Sequence, residues 1–523
     1  VALAMREVYR CAMNPRRPAM QLLAAAIALA LPSTAAAADW RAKASPAVLQ
    51  AVDSGASPDV LIVLRGQPAL QLIDPSLPKA ERGRAVMAQL QAAGAQARAS
   101  VGAELAARGI AQQSLWIANA IAARLDPGML AELAQRGDVA RIESDRAFRI
   151  ELPRSEALQP KAAKAIEPNI ARVRAPEAWA LGFRGQGVVV GAQDTGYQWD
   201  HPAVRARYRG WNGASVQHAY QWYDAVRSEI NATVNPCGVA IGAPCDDNSH
   251  GTHTLGTVLG DDGGANQIGV APEAQWIGCR NMDSGDGRPS TYLGCFQFFL
   301  APTDGNGANP RPDLAPDIIT NSWGCPPSEQ CNLDSFDTAL AAVRAAGILN
   351  VVAAGNDGAS CGSINTPPAT SPDVFTIGST TNLDVRSSFS SIGPVTIDGS
   401  NRLKPDVMAP GSSVRSAVPG GGYGSKSGTS MATPNVAGVA ALVMSANPAL
   451  RGDPAAVEAI LRETAVPINP AGLNCGSFVA SAYPNHIHGF GRVDALAAVQ
   501  RASAETPMFR SGFEPAAAGR GVP

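Results

Sequence analysis

Five short apolar runs, at residues 188–192, 276–279, 318–322, 348–354 and 374–377, constrain this chain more than any other feature. None alternates apolar with polar residues, so each suits a strand buried on both faces. Helical patterns lie between them, and that alternation implies an α/β domain with a mainly parallel central sheet covered by helices. In such sheets the chemistry collects at the carboxyl ends of the strands. The residues that directly follow each run are therefore the ones to read.

With 523 residues the chain is long enough for more than one domain of about 100–200 residues. Its 42 basic and 44 acidic residues leave a net charge of −2, which offers no global attraction to nucleic acid or anionic lipid. Arg16 and Arg17 precede an apolar run at 22–31, which Pro32 breaks before the small residues 33–38. That is the pattern of a secretory signal over 1–38 with a cleavage site near Ala38. The run is well short of the ~20 residues of a spanning helix, so no stable membrane anchor is expected. The expected location is secreted, either extracellular or periplasmic in transit.

Removing the signal removes Cys11 and leaves Cys237, Cys245, Cys279, Cys295, Cys325, Cys331, Cys361 and Cys475. An even count in an exported chain points to disulfides. Cys237 with Cys245 and Cys325 with Cys331 would close short loops, leaving Cys279 to pair with Cys295 and Cys361 with Cys475. No two cysteines have the spacing of a zinc knuckle.

Residues 59–142 have the pattern of a small α/β unit. A buried strand is predicted at 59–64 and an Ala-rich helical stretch at 79–108, with possible breaks at Gly94 and Gly102. A strand-like stretch at 115–125, a helix at 127–135 and an edge strand at 139–142 complete it. A unit of this size between a signal and a larger domain invites a propeptide reading. Residues 151–167, with Pro153 and Pro160, read as an exposed linker that proteases could cut.

Four words carry the chemistry of the larger domain. The first apolar run ends in Asp194-Thr195-Gly196, placing a carboxylate where it could orient an imidazole. In 246–257, Asn248 or Ser249 could cap a helix that begins near His250. Gly428-Thr429-Ser430 opens another helix, where a hydroxyl, its own N–H and the helix dipole converge on a developing oxyanion. Gly428 leaves room for a substrate backbone. The run at 348–354 leads to Gly355-Asn356, whose amide could donate a second oxyanion hydrogen bond. Each has a plainer alternative: a turn for Asp194, a helix cap for Ser430, and a metal pair for His250 and His253, which lacks the Glu and third ligand of the zinc-protease helix.

The joint order decides among these. Asp194, His250, Asn356 and Ser430, set in Asp-Thr-Gly, His-Gly-Thr-His and Gly-Thr-Ser-Met-Ala, resemble the subtilisin-like serine proteases (peptidase S8) over about residues 168–500. The words at 193–202, 246–250 and 321–324 resemble the bacillopeptidase F-like branch. The resemblance implies a three-layer subtilisin-like fold preceded by a small α+β propeptide domain. It further implies a serine endopeptidase, made as a self-processing zymogen, that acts on protein or peptide substrates and has its own propeptide as intramolecular inhibitor.

By the same resemblance Ser430 is the nucleophile, His250 the general base and acid, and Asp194 its orienter, with Asn356 in the oxyanion hole. Ser322, Trp323, Gly324, Ala353, Ala354 and Gly355 would line the cleft for the residue before the scissile bond. The expected organisation is signal 1–38, propeptide 39–150, linker with processing site 151–167, catalytic domain 168–502 and tail 503–523. No cofactor is required for this chemistry. Structural calcium is common among such proteases, but no ligand set is assignable from the Asp-bearing loops.

An α/β-hydrolase esterase is excluded by chain order, because its nucleophile precedes its acid and His and sits in a Gly-x-Ser-x-Gly elbow absent here. A catalytically silent module is disfavoured because all four positions hold competent residue types. If the cysteines after Cys11 are all paired, thiol titration of the denatured, unreduced mature protein finds essentially no free thiol. Two or more free thiols would contradict the pairing.

Overall fold

A computed structural model describes residues 40–66, 68–149, 153, 155–156, 166–228, 230, 235–305, 307–325, 333–358, 360–468, 474–475 and 482–505. The expected signal, most of the linker and all but the start of the tail lie outside the described residues.

The N-terminal unit has helix α1 (Pro46–Asp53), strand β1 (Asp59–Leu64), helices α2 (Lys79–Ala92) and α3 (Ala95–Ala107), strands β2 (Gln112–Leu115) and β3 (Ala120–Arg124), helix α4 (Pro127–Gln135) and strand β4 (Val139–Ser144). Its sheet is antiparallel in the order β2-β3-β1-β4, so β4 is the expected edge strand. The helical stretch divides at Gly94, which takes φ 73° and where a Cβ would fall 2.2 Å from the Asn119 side chain; Gly102 stays inside α3. The strand-like stretch at 115–125 is instead two strands. Asn119 adopts φ 48°, and its Nδ2 donates to the carbonyls of Leu64, Arg65 and Gly66, so the chain reverses there.

The apolar run of β1 is continuous although its sheet is antiparallel, because both of its faces are buried. Val60, Ile62 and Leu64 pack in the unit's own core with Leu105, Leu130 and Ile142. Leu61 and Val63 point the other way, into a cluster that includes Tyr292, Phe296 and Phe336 of the larger domain.

Downstream come β5 (Phe148–Arg149), β6 (Ser155–Glu156), α5 (Pro168–Arg172), α6 (Ala175–Ala180), β7 (Val189–Asp194), β8 (Trp222–Asp224), α7 (His250–Leu259) and β9 (Gln275–Arg280). The hairpin β10 (Met282–Asp283) and β11 (Asp286–Gly287) precedes α8 (Pro289–Leu300), β12 (Ile318–Asn321), α9 (Leu333–Ala345), β13 (Leu349–Ala353), β14 (Phe375–Thr380) and β15 (Val407–Pro410). A second hairpin, β16 (Val414–Val418) and β17 (Gly422–Lys426), leads to α10 (Thr429–Ala446), α11 (Pro454–Glu463) and α12 (Ala495–Glu505).

Seven strands form one all-parallel sheet in the order β15-β14-β13-β12-β7-β9-β8, and the five predicted runs all fall on it. Alternation along each strand divides the core. Ile318, Leu349 and Val351 face α7 and α10, whereas Ile319 and Val352 face α8 and α9. This is the three-layer subtilisin-like arrangement.

Cys237 bonds Cys245, as the short loop suggested, and the cysteines left over by the short loops pair as Cys279 with Cys295 and Cys361 with Cys475. Cys325 is disulfide-bonded too, while its expected partner Cys331 lies outside the described residues.

Candidate active site

Two neighbouring strand ends organise the site. β7 delivers Asp194 at its last position, and β12 ends at Asn321, which pairs in register with Gln193. Ser322, the next residue, therefore emerges beside Asp194. His250 docks on the first strand end and Ser430 on the second.

His250 is the first residue of α7, and its Nδ1 donates to Asp194 Oδ1 at 2.7 Å. The Thr195 N–H donates to the same oxygen at 2.8 Å. Both members of the pair are buried, so their attraction is poorly screened. This bond places the imidazole proton on Nδ1 and leaves the Nε2 lone pair free. Among the described residues Nε2 has no hydrogen-bond partner.

The expected cap of α7 is replaced. Ser249 stands at the N-cap in a left-handed conformation, φ 76°, and makes no side-chain cap. Asp246 does that work, its Oδ1 accepting from the N–H groups of Asn248 and Ser249 and its Oδ2 from Thr252 N and Oγ1. Asp246 Oδ1 also accepts from Thr195 Oγ1 at 2.9 Å, tying the start of α7 to the end of β7. The Asp246 carboxylate reaches five donors where a serine hydroxyl reaches one or two, and the sequence signal was the acidic pair just before the histidine word.

Ser430 lies in the first turn of α10, where backbone N–H groups have no carbonyl four residues back. Its Oγ donates to the Ser322 carbonyl at 3.0 Å, and Ser322 Oγ donates to the Ser430 carbonyl at 3.0 Å. Asn356 Oδ1 accepts from Thr429 N at 2.9 Å and Thr429 Oγ1 at 3.0 Å. That fixes the amide so that Nδ2 faces Gly428, 3.6 Å from where a Cβ there would be. The same Cβ would stand 2.6 Å from Pro153 Cγ, so only glycine admits the chain that lies across the site.

The other predicted lining residues surround this point. Gly324, Ala353, Ala354 and Gly355 follow the ends of β12 and β13 or finish them. The Trp323 ring turns into the core beneath, stacked on Tyr292 at 4.1 Å between centroids and flanked by Phe296 and Phe336. His253 does not join His250 in a metal pair, because its Nε2 donates to the carbonyls of Val414 and Gly424. Among the described residues no group of three or more His, Cys, Asp or Glu could hold a metal ion.

Residues 185–491 match the Subtilase family, more than half of the chain. The chain belongs to the subtilase family of serine-type endopeptidases. It is 36% identical over 402 residues to Bacillopeptidase F of Bacillus subtilis (strain 168), a match covering 74% of this chain and 26% of that protein. It is 32% identical over 343 residues to Subtilisin NAT of Bacillus subtilis subsp. natto, covering 65% of this chain and 74% of that one. Alkaline elastase YaB of Bacillus sp. (strain YaB) is 34% identical over 280 residues, covering 53% and 60%.

In this subtilase the groups around the pair are electrostatically uneven. Burial raises the Asp247 carboxyl to about 7, although Arg280 lies 3.1 Å away. Asp247 also accepts from the Ser284 N–H, holding the β10–β11 hairpin against the start of α7. Burial, with Lys426 and His250 nearby, pushes the His253 imidazole down to about 3.

A depressed imidazole in the folded state means that the unfolded chain binds the proton first. Stability contributed by His253 therefore begins to fall as pH drops through about 6.5 and continues to fall to about 3. Denaturant titration of the Ser430→Ala form should lose roughly 2–3 kcal/mol between pH 6 and pH 4 from this residue. A His253→Gln variant, which keeps a donor, should show a flatter profile over that window; an unchanged slope would remove His253 as the cause.

Proposed function

We propose that this subtilase is secreted as a zymogen, cleaves its own chain, and hydrolyses peptide bonds in proteins through Asp194, His250 and Ser430. The observation that carries the reading is the 2.7 Å Asp194–His250 bond, with the opposite imidazole nitrogen free and Ser430 held on the adjacent strand end. In the reaction, Ser430 Oγ turns from the Ser322 carbonyl and attacks the substrate carbonyl carbon. Its proton passes to His250 Nε2, and Asp194 stabilises the imidazolium. The oxyanion is met by the Ser430 N–H and Asn356 Nδ2. His250 then protonates the leaving amine as the C–N bond breaks, giving an acyl-enzyme. Water, deprotonated by His250, attacks the ester, and Ser430 recovers its proton.

The course of the chain between the two domains supports self-processing. β5 pairs antiparallel with β11, and β6 pairs antiparallel with β17, the strand that leads to α10 and Ser430. Main chain paired along such strand edges is how a peptide substrate would be held. The Pro153 carbonyl accepts from Lys426 Nζ at 3.3 Å, which supports a reading in which the scissile bond precedes it. We therefore assign the first cut to a bond between Arg149 and Pro153, and Ser322, Gly324, Ala353, Ala354 and Gly355, with only the main chain of Trp323, to the cleft wall on its acyl side.

The N-terminal unit is held as an inhibitor would be. Ser290 N and Oγ donate to Asp145 at 2.8 and 2.6 Å, and Ser335 Oγ donates to Glu143 at 3.0 Å, so two of its carboxylates sit at the starts of α8 and α9. Lys79 reaches Asp317 at 2.7 Å. Secretion is supported by the signal pattern at 1–38, and no helix among the described residues is long and apolar enough to cross a membrane. The family's chemistry needs no cofactor.

Intact mass of the secreted protein should reveal a released N-terminal fragment ending at residues 149–152, and Ser430→Ala should remain uncut. A fragment ending before Phe148, or beyond Pro153, would overturn the assignment. Asn356→Ala should lower kcat by about 10²–10³, the range known for the oxyanion donor of subtilisin, with little change in KM. Wild-type kcat with a lower melting temperature would make Asn356 only a turn residue.

A further inference from the structure

The two acids before the histidine word do different work. Asp246 faces β7 and α7, whereas Asp247 turns towards β9 and the β10–β11 hairpin. The Asp247 side chain is wholly buried, and so is that of Arg280, whose Nη1 donates to Asp247 Oδ2 at 3.1 Å. Arg280 already has a fuller match in Asp224, which it grips through Nε and Nη2, both at 3.0 Å. Asp247 is thus a second buried carboxylate on one guanidinium, with Asp246 and Asp283 near enough to oppose its charge. A buried charge shared in this way costs stability, so packing alone gives no reason for it.

Its other oxygen shows what the carboxylate holds. β10 and β11 are joined by Ser284 and Gly285, which take φ 52° and 95°, the doubly left-handed form of a two-residue hairpin loop. A hairpin with strands of two residues each is marginal by itself. Asp247 Oδ1 accepts from the Ser284 N–H at 2.9 Å, and Asn248 Nδ2 donates to the Ser284 carbonyl at 3.3 Å. Two successive residues of the turn that leads into His250 therefore hold both main-chain groups of the hairpin tip. The second strand, β11, is the edge on which β5 lies, with Phe148 opposite Gly287 and Arg149 opposite Asp286. An extended substrate in the place of β5 would lie on an edge whose tip is fixed to the turn that carries the general base.

We propose that Asp247 is a positioning residue that locks the β10–β11 edge to the His250 turn, so that substrate residues paired on that edge are held in register with the general base. The proposal rests on the endopeptidase reading. When Asp247 is lost, Asp246 still ties the turn to β7, so His250 keeps its place and only substrates long enough to lie on β11 are affected. These still bind, but out of register, and the loss falls on kcat. A carboxylate that only stabilised the fold would affect substrates of every length alike.

The test compares two p-nitroanilides with the same residue at the cleaved bond, one carrying that residue alone and one extended by three more on the acyl side. In the wild-type enzyme the extension should raise kcat/KM. Asp247→Ala should cut that gain by about 10-fold or more, chiefly in kcat, and leave the short substrate within about three-fold. Asp247→Asn, which keeps an acceptor for the Ser284 N–H, should recover part of the gain. No gain in the wild-type enzyme, an equal fall on both substrates, an unchanged gain in Asp247→Ala, or a loss confined to KM overturns the proposal while leaving the endopeptidase reading intact. A folded wild-type enzyme that cleaves neither anilide nor casein overturns that reading instead. If Asp247→Ala does not fold, Asn248→Ala, which removes only the side-chain bond to the Ser284 carbonyl, is measured in its place. Its gain should fall about three-fold or more, and an unchanged gain overturns the proposal.

Discussion

The structure depends on the parallel register of four neighbouring strands, β9, β7, β12 and β13, cross-linked by a buried ladder of amides. Asn281, just after β9, donates to Gln193 on β7; Gln193 donates to Asn321 on β12; Asn321 donates to Asn350 on β13. Every member is buried. An amide left unpaired there costs about 1–3 kcal/mol, so the ladder penalises any slip of one strand past another. Two residues of the site follow it directly, Asp194 after Gln193 and Ser322 after Asn321, and Asn356 stands three residues beyond the end of β13. Their alignment is inherited from strand register.

Two helices complete the site by starting where these strands end. α7 begins at His250 because Asp246 occupies the donors of the preceding turn, and α10 begins at Thr429 because Asn356 accepts from its N–H and hydroxyl. In both cases a side chain from another part of the site satisfies a helix terminus. Helix placement and catalytic geometry are thus coupled through the same bonds.

The N-terminal unit uses one strand to belong to two cores. Because side chains alternate, β1 sends Val60, Ile62 and Leu64 inward and Leu61 and Val63 towards α8 and α9. Beyond it, the linker does not hang free where it is described. Pro153 is wedged against Gly428, and Glu167 takes an ion pair from Arg415 at 2.9 Å. The strand that packs towards α8 and α9 and the proline at Gly428 thus belong to the same N-terminal part of the chain.

Much of this was legible in the sequence. Apolar runs without alternation reveal buried strands, and the order and flanking words of Asp194, His250, Asn356 and Ser430 reveal the family, because that chemistry demands those residue types in fixed company. The split of 115–125 at Asn119 was missed, since a left-handed residue is stabilised by carbonyls at 64–66, more than fifty positions away. For the same reason only the tertiary structure decided that Asp246 rather than Ser249 caps α7, that the Ser430 hydroxyl rests on Ser322, that the Trp323 ring is a core residue, and that Lys426 reaches the chain in the cleft. Local sequence sets which backbone states and chemical groups are available. Which acceptor each group meets depends on contacts between segments that only the folded sheet brings together.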